Sequence, residues 1–275
     1  MNIAITGASG FIGRHLMKSL AQAGHSPHAL SRHAPPVESD VVIHLAGEPV
    51  AQRWTPEAKQ RIRESRIAGT RDLVGALGRL PRRPEALICA SAIGYYGSRG
   101  DEILTESSAP GSGFLPEVCV AWEKEAQEAE AFGIRVVRVR TGLVLAAGGG
   151  ALQRMLPPFR MGVGGRLGSG RQWMSWIHLE DLTAMFQFAV ESQVRGPLNG
   201  VAPHPVANSE FTRELAQALW RPAVFPVPEF ALRLLFGEMA DVLLASQRVV
   251  PAAAEAAGFR FRFPQLAQAL AALLR

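Results

Sequence analysis

The 275-residue chain has only two cysteines, Cys89 and Cys119, and only two tyrosines, Tyr95 and Tyr96. Two thiols give neither a disulfide framework nor a metal-ligand spacing, so no metal is expected, and a reducing cytoplasm suits the chain. No apolar run is long enough to span a bilayer, and the strand that starts at Asn2 leaves no signal peptide to expect before it. Lysine is nearly missing too: Lys18, Lys59 and Lys124 stand against many scattered arginines. The net charge of +5 raises nucleic acid as a partner, but no basic cluster interleaved with aromatics marks a backbone-tracking face. Neither nucleic acid nor membrane is therefore an expected partner. A mild positive field suits a small anionic or polar substrate equally well. The oligomeric state is left open.

What is present begins at residue 2. Asn2–Thr6 is an apolar strand, and Gly7, Gly10 and Gly13 punctuate the entry to an amphipathic helix carrying Phe11, Ile12, Leu16 and Leu20. Gly7 allows the tight turn, Gly10 lets backbone approach a pyrophosphate, and Gly13 lets the helix pack on the strand. The helix N-terminus supplies free N–H groups and a positive dipole end for phosphates. A strand before the glycines and a helix after them are the context that a dinucleotide site requires. Gly7, Ser9, Gly10, Phe11 and Ile12 are the first expected cofactor contacts.

Apolar runs then alternate with helical patterns, which predicts βαβ units and a doubly wound parallel sheet of the Rossmann type. Strands are expected at 2–6, 27–31, 41–46, 86–91 and 134–139, and helices over about 11–23, 56–80 and 116–132. Only Arg32 to Asp40 separates the second strand from Val41, too short for a crossover helix, so the adenine side of the sheet is expected to be abbreviated. Residues 1–149, rejoined by 172–200, form the expected dinucleotide domain. Residues 150–171 and 201–275 form a smaller C-terminal α/β domain on the substrate side. Phe259, Phe261 and Phe263 alternate with Arg260 and Arg262 as in a half-buried strand.

The second strand ends Ala29-Leu30-Ser31-Arg32-His33, without the carboxylate that an NAD enzyme uses on the ribose 2′-hydroxyl. Arg32 offers a permanently charged fork suited to a 2′-phosphate, with Ser31 as a second donor, so NADP is the expected cofactor. The alternative is a solvated turn arginine. Leu45, Ala46 and Gly47 would let the dinucleotide lie along the third strand's carboxyl end, and Val144 completes the expected contacts.

The glycine loop resembles that of the short-chain dehydrogenase/reductase superfamily, and T-G-A-S-G-F-I-G is typical of its extended, epimerase-like members. Further stretches narrow the resemblance: R-I-A-G-T, S-A-I-G-Y-Y-G, V-C-V-A-W-E, R-T-G-L-V-L, G-S-G-R-Q-W-M-S-W-I-H-L-E-D-L and the tail R-P-A-V-F-P-V-P-E-F-A-L. Together they are similar to an atypical subgroup often labelled sugar-nucleotide epimerases or cell-division inhibitors. Ordinary members of the superfamily carry Tyr-x-x-x-Lys on a helix, one turn apart on one face, for proton exchange with the substrate hydroxyl. No Tyr-x-x-x-Lys occurs in this chain. Matching on Glu123 puts Leu115 at the tyrosine position and Cys119 at the lysine position, and Arg66 stands for the family's helix asparagine.

The resemblance leaves Ser91, Tyr95 and Cys119 as catalytic candidates. Ser91 matches the strand-end serine, although counting back from Tyr96-Gly97 puts Ala92 there. Cys119 is either an acid–base thiol activated by Arg66 or a small buried side chain lining the cofactor pocket. Arg66 either holds a phosphate or carboxylate in the cofactor site or makes a surface ion pair. Tyr95 is either a proton donor or part of the aromatic packing. The glycine run 162–170 lacks a Walker ending, and Arg166, Arg171 and Trp176 around it are the substrate candidates. His44 is expected as a satisfied core histidine. Two functions follow: an NADP-dependent oxidoreductase or epimerase on a small or nucleotide-linked polar substrate, or an NADP-binding regulatory protein that has lost its chemistry.

Overall fold

An all-parallel sheet needs strands that are apolar on both faces, and the central strands of this chain are. The structure is a computed structural model, describing residues 1–31 and 38–274. In chain order the elements are β1 (Asn2–Thr6), α1 (Phe11–Gln22), β2 (Ser26–Leu30), β3 (Val41–His44), α2 (Pro56–Gly78), β4 (Ala86–Ala92), β5 (Ile103–Leu104), α3 (Phe114–Gln127), β6 (Arg135–Thr141) and β7 (Leu143–Leu145). There follow α4 (Gly150–Arg160), β8 (Trp173–Met174), β9 (Trp176–His178), α5 (Leu179–Glu191), β10 (Gly196–Gly200), β11 (Val206–Ala207), α6 (Asn208–Leu219), α7 (Glu229–Phe236), α8 (Ala240–Leu244), β12 (Arg248–Val249), α9 (Ala252–Ala256) and α10 (Leu266–Leu274).

The main sheet runs β10-β6-β4-β3-β1-β2, with every pairing parallel. Its register lines up Ile5, Ile43, Ile88 and Val137 across one face. That row packs under Leu16 and Leu20 of α1 and Leu182 and Phe186 of α5. On the other face Ala4, Val42, Leu87 and Val136 align beneath Val74 and Leu77 of α2 and Trp122 and Ala126 of α3. A one-residue slip would exchange the two sets, so the register is strongly specified. β1 lies between β2 and β3, so the strand order reverses there, and the crevice at the strands' carboxyl ends is where such sheets bind ligands. Among the described residues only β2 lies beyond β1, so the adenine side is short, as the spacing of the second and third strands predicts.

The C-terminal half builds a second core from Leu152, Phe159, Trp176, Phe211 and Leu270. Three small two-stranded sheets, β7 with β9, β8 with β11, and β5 with β12, stand apart from the main sheet. Two expectations need correction. Residues 201–275 do not all belong to the smaller unit, because Ala254 and Phe259 enter the main core and Phe261 packs against it. The alternating phenylalanines form no ladder: the Asp181 carboxylate accepts the backbone N–H groups of Arg262 (2.8 Å) and Phe263 (2.9 Å), where a strand partner would otherwise be. Glu106 pins the tail similarly, accepting from the N–H of Asn199 (2.9 Å) and of Ala253 (3.1 Å). No helix among the described residues is long and apolar enough to cross a membrane.

Candidate functional site

The turn after β1 leaves no room for side chains. Gly7 has φ +72°, and a Cβ there would lie 2.9 Å from the Ala46 nitrogen at the end of β3. A Cβ on Gly13 would lie 2.2 Å from the Gly7 carbonyl oxygen. Helix α1 then starts without a side-chain cap and without an acidic residue in its first turn. Its leading N–H groups therefore lack an internal partner and carry the positive dipole end, the electrostatics that a pyrophosphate needs. The Phe11 ring packs where Cβ atoms on Gly149 (2.6 Å) and Gly150 (3.0 Å) would be, and the Gly150 backbone borders the Val144 carbonyl. Gly7 thus packs against Leu45 and Ala46, and Phe11 and Val144 come together beside Gly150, at the carboxyl-end side of the sheet where such folds bind ligands. Ser31 follows the end of the edge strand β2, while Arg32 lies outside the described residues.

Gly47 follows Ala46 in the chain. A Cβ there would sit 3.3 Å from the Arg66 guanidinium, so the glycine admits the arginine. Arg66 reaches in from α2 and donates through Nη1 to the Glu48 carbonyl (2.9 Å) and the Ile62 carbonyl (3.3 Å). Its guanidinium also lies 5.1 Å from the Trp122 ring centroid. Nε and Nη2 find no acceptor among the described residues, and no carboxylate forms an ion pair with them. Burial lowers its pKa, countered by Cys119 and Glu48. A half-buried cation without a counter-ion favours any anion that enters.

Cys119 projects from α3 toward the same place. A Cβ on Gly94 would lie 3.4 Å from Leu115 Cβ and 3.8 Å from Cys119 Sγ, so the residues at the expected tyrosine and lysine positions share one pocket with the end of β4. Burial, reinforced by Glu123, pushes the Cys119 thiol up to about 12, against the opposing pull of Arg66. It is a thiol at neutral pH, not a nucleophilic thiolate.

Two other catalytic candidates are engaged by neighbouring side chains. Ser91 is buried and donates to Glu123 (2.7 Å), which commits its hydroxyl to a structural network. The Tyr95 ring lies 3.5 Å from the Arg140 guanidinium and meets the Tyr96 ring edge-on at 5.2 Å, so it belongs to the aromatic packing around Arg140. Sequence reasoning used Glu123 only as an alignment mark and missed the network it anchors. Arg140 grips both Glu123 oxygens at 2.8 Å and donates to Tyr96 Oη (2.9 Å), which in turn donates to Asn199 Oδ1 (2.7 Å). Three arginines in the otherwise apolar strand Arg135-Val136-Val137-Arg138-Val139-Arg140 were the available signal, since a buried guanidinium demands acceptors.

The substrate candidates disperse. Trp176 is wholly buried in the second core with Nε1 donating to the His204 carbonyl (3.1 Å), so it lines no cleft. The flanking alternation of 172–178 hides that β9 is covered on both sides. Arg166 lines a groove against α6, whose other lining residues include none of the glycine loop, the β3 end or the Cys119 pocket. Arg171 is exposed, with no side-chain partner among the described residues. His44 is satisfied as expected, between Thr6 Oγ1 (2.6 Å) and Thr70 Oγ1 (3.0 Å).

Comparison with known proteins identifies the family and the fold. The NAD dependent epimerase/dehydratase family matches residues 3–38 and 35–201. The chain belongs to the NAD dependent epimerase/dehydratase family. Residues 227–273 match a domain of unknown function (DUF1731). The epimerase family protein YfhF of Bacillus subtilis is 40% identical over all of this chain and 98% of its own length. An SDR39U1 homolog of Arabidopsis thaliana, described as chloroplastic, is 38% identical over all of this chain and 87% of its own. The crystal structure of human epimerase family protein SDR39U1 with NADPH superposes with a TM-score of 0.94 at 33% identity, covering 100% of this chain and 99% of that one. A UDP-glucuronic acid 4-epimerase of Bacillus cereus, at 16% identity and a TM-score of 0.79, shares the fold alone. Leu115, Cys119 and Arg66 stand at the positions that the motif comparison matched to the superfamily's tyrosine, lysine and asparagine.

Proposed function

We propose that this protein binds NADP(H) and acts as an oxidoreductase or epimerase on a small or nucleotide-linked polar substrate, holding an anionic or carbonyl oxygen with Arg66. The observation that carries the proposal is Arg66 itself: a half-buried guanidinium whose Nε and Nη2 have no acceptor, and which forms no ion pair, among the described residues, beside Gly47 and near Cys119. The residues fit the dinucleotide. Gly7, Gly10 and Gly13 shape the turn and the uncapped start of α1 suits the pyrophosphate, while Ser31 and Arg32, the latter outside the described residues, are the sequence's candidates for a 2′-phosphate. The NADPH in the human relative supports NADP over NAD. A nicotinamide cofactor supplies hydride.

The chain's own residues then orient and polarise. With leucine and a neutral thiol in place of tyrosine and lysine, Arg66 lowers the energy of a developing negative charge instead of a phenol supplying a proton. General acid–base help is worth on the order of 10²–10⁴ in rate, so turnover on simple ketones or UDP-sugars is expected to be slow. Titration of NADPH and NADH tests the cofactor: NADPH binds at least about tenfold more tightly, and Arg32→Ala erases most of that preference. Equal affinities in the unmutated chain would overturn it. A substrate screen by NADPH oxidation tests the rest, with Arg66→Ala lowering turnover more than Cys119→Ser.

The absence of any phenol or ammonium among Gly94, Leu115, Cys119 and Arg66 favours a second reading, an NADP(H)-binding regulatory protein. It predicts tight NADPH binding and no oxidation with any substrate.

A further inference from the structure

Helix α6 ends in an unusual way. Trp220 is the one described residue other than glycine with positive φ (+54°), at the left-handed position closing a helix where glycine costs least. The same residue is 92% exposed. An indole is thus held out in water on strained backbone, and an observed strain of this kind is a reason to look for a ligand. It stands at the rim of a groove of about 760 Å³, within the range of small-molecule sites. The groove is lined by Ser209, Thr212, Arg213, Ala216 and Gln217 of α6 and by the segment after it, Arg221 to Val224 and Pro226.

The polar lining is one-signed. Arg166, Arg213 and Arg221 border the groove with Ser209 and Thr212, and no carboxylate does. Arg221 has no acceptor among the described residues, and Arg166 donates only to the Ser169 carbonyl (2.6 Å). Arg213 shares Glu214 (3.3 Å) and Glu210 (3.7 Å). Guanidinium forks match phosphate oxygens, and an exposed indole offers a face to a planar ring. We infer that this groove is a second ligand site, separate from the dinucleotide crevice, which takes a nucleoside diphosphate: base stacked on Trp220, phosphates on Arg166 and Arg221. The inference does not rest on the proposed reaction.

The test is a calorimetric titration of ADP into the full chain held with saturating NADPH, repeated with Trp220→Gly and Arg221→Ala. Saturable binding is expected, weakened about tenfold or more by W220G, since stacking on one aromatic is worth that much. R221A weakens it as well and reduces its salt dependence. Glycine suits the local backbone, so W220G melts no lower than the unmutated chain, and NADPH titrations are unchanged in both variants. The difference between unmutated chain and W220G is the readout, so a failure of NADPH binding leaves this test standing. Absence of ADP binding, equal ADP affinity with and without Trp220, or pyrophosphate binding as tightly as ADP would each overturn the site.

Discussion

The two ends of the crevice are built by different rules. At the β1–α1 end the requirements are backbone ones, a positive φ at Gly7 and no Cβ at Gly13, and they are met in full. At the β4–α3 end the requirements are side-chain ones, and leucine, a neutral thiol and an arginine occupy the positions. Binding geometry resists change because almost any side chain would collide. Chemistry is freer to change because Leu115 and Cys119 fit the space without strain. Under the altered end lies a polar network that has not been relaxed, Ser91–Glu123–Arg140–Tyr96–Asn199. That network holds β4, α3, β6 and β10 together and so fixes the frame in which the altered residues stand.

Breaking this network is expected to have the largest effect. Glu123→Ala leaves Arg140 buried without its carboxylate, a loss on the order of 3–5 kcal/mol. Urea denaturation measures it, and a loss below about 1 kcal/mol would mean that the network is not the frame. Gly13→Ala comes next, because its Cβ meets backbone at 2.2 Å and 2.8 Å that has nowhere to go. Overpacking of this kind costs about 1–3 kcal/mol. Fluorescence titration is expected to show NADPH binding lost at concentrations that saturate the unmutated chain, and retained affinity would break the contrast between the ends.

A pH effect sharpens the comparison from outside the crevice. His178 is buried against Phe263, ring centroids 4.0 Å apart, with Nδ1 accepting the Glu180 N–H. Burial lowers its pKa below 6.5, countered by Glu180 and Asp181 and assisted by Arg262. A base whose folded pKa is depressed contributes stability above its unfolded value and loses it as pH falls through the folded one. Stability is therefore expected to drop as pH falls from about 6.5. His178→Asn, which keeps the cap, removes that part of the slope. An unchanged slope in acid denaturation curves would contradict the assignment. The smallest effect on stability belongs to Gly47→Ala. Its Cβ meets only the tip of Arg66 at 3.3 Å, so the fold loses under about 1 kcal/mol. Turnover or anion binding is expected to suffer as in Arg66→Ala, and a silent Gly47→Ala would remove Arg66 from the site.

The sequence carried the first end better than the second. Buried parallel strands are runs of branched apolar residues, so β1 is predicted to the residue and the other central strands within two. The glycines speak for themselves because backbone clashes are local. Cys119 and Arg66 emerge from the motif comparison, and the structure adds that they share a pocket. Ser91, Tyr95 and Trp176 could not be oriented from sequence, since one residue's difference in a strand turns a side chain to the opposite face. Phe259–Phe263 shows the same limit: alternation is visible, but whether a strand or the Asp181 carboxylate satisfies the backbone is a tertiary fact.

The most direct measurement is a crystal structure of the full chain grown with NADPH. The account predicts the pyrophosphate at the N-terminus of α1 against Gly10–Ile12, the guanidinium of Arg66 in contact with the bound dinucleotide or the anion beside it, and the nicotinamide facing Gly94, Leu115 and Cys119. A nicotinamide ring turned away from that pocket, or an Arg66 guanidinium with no contact to anything bound, would contradict it.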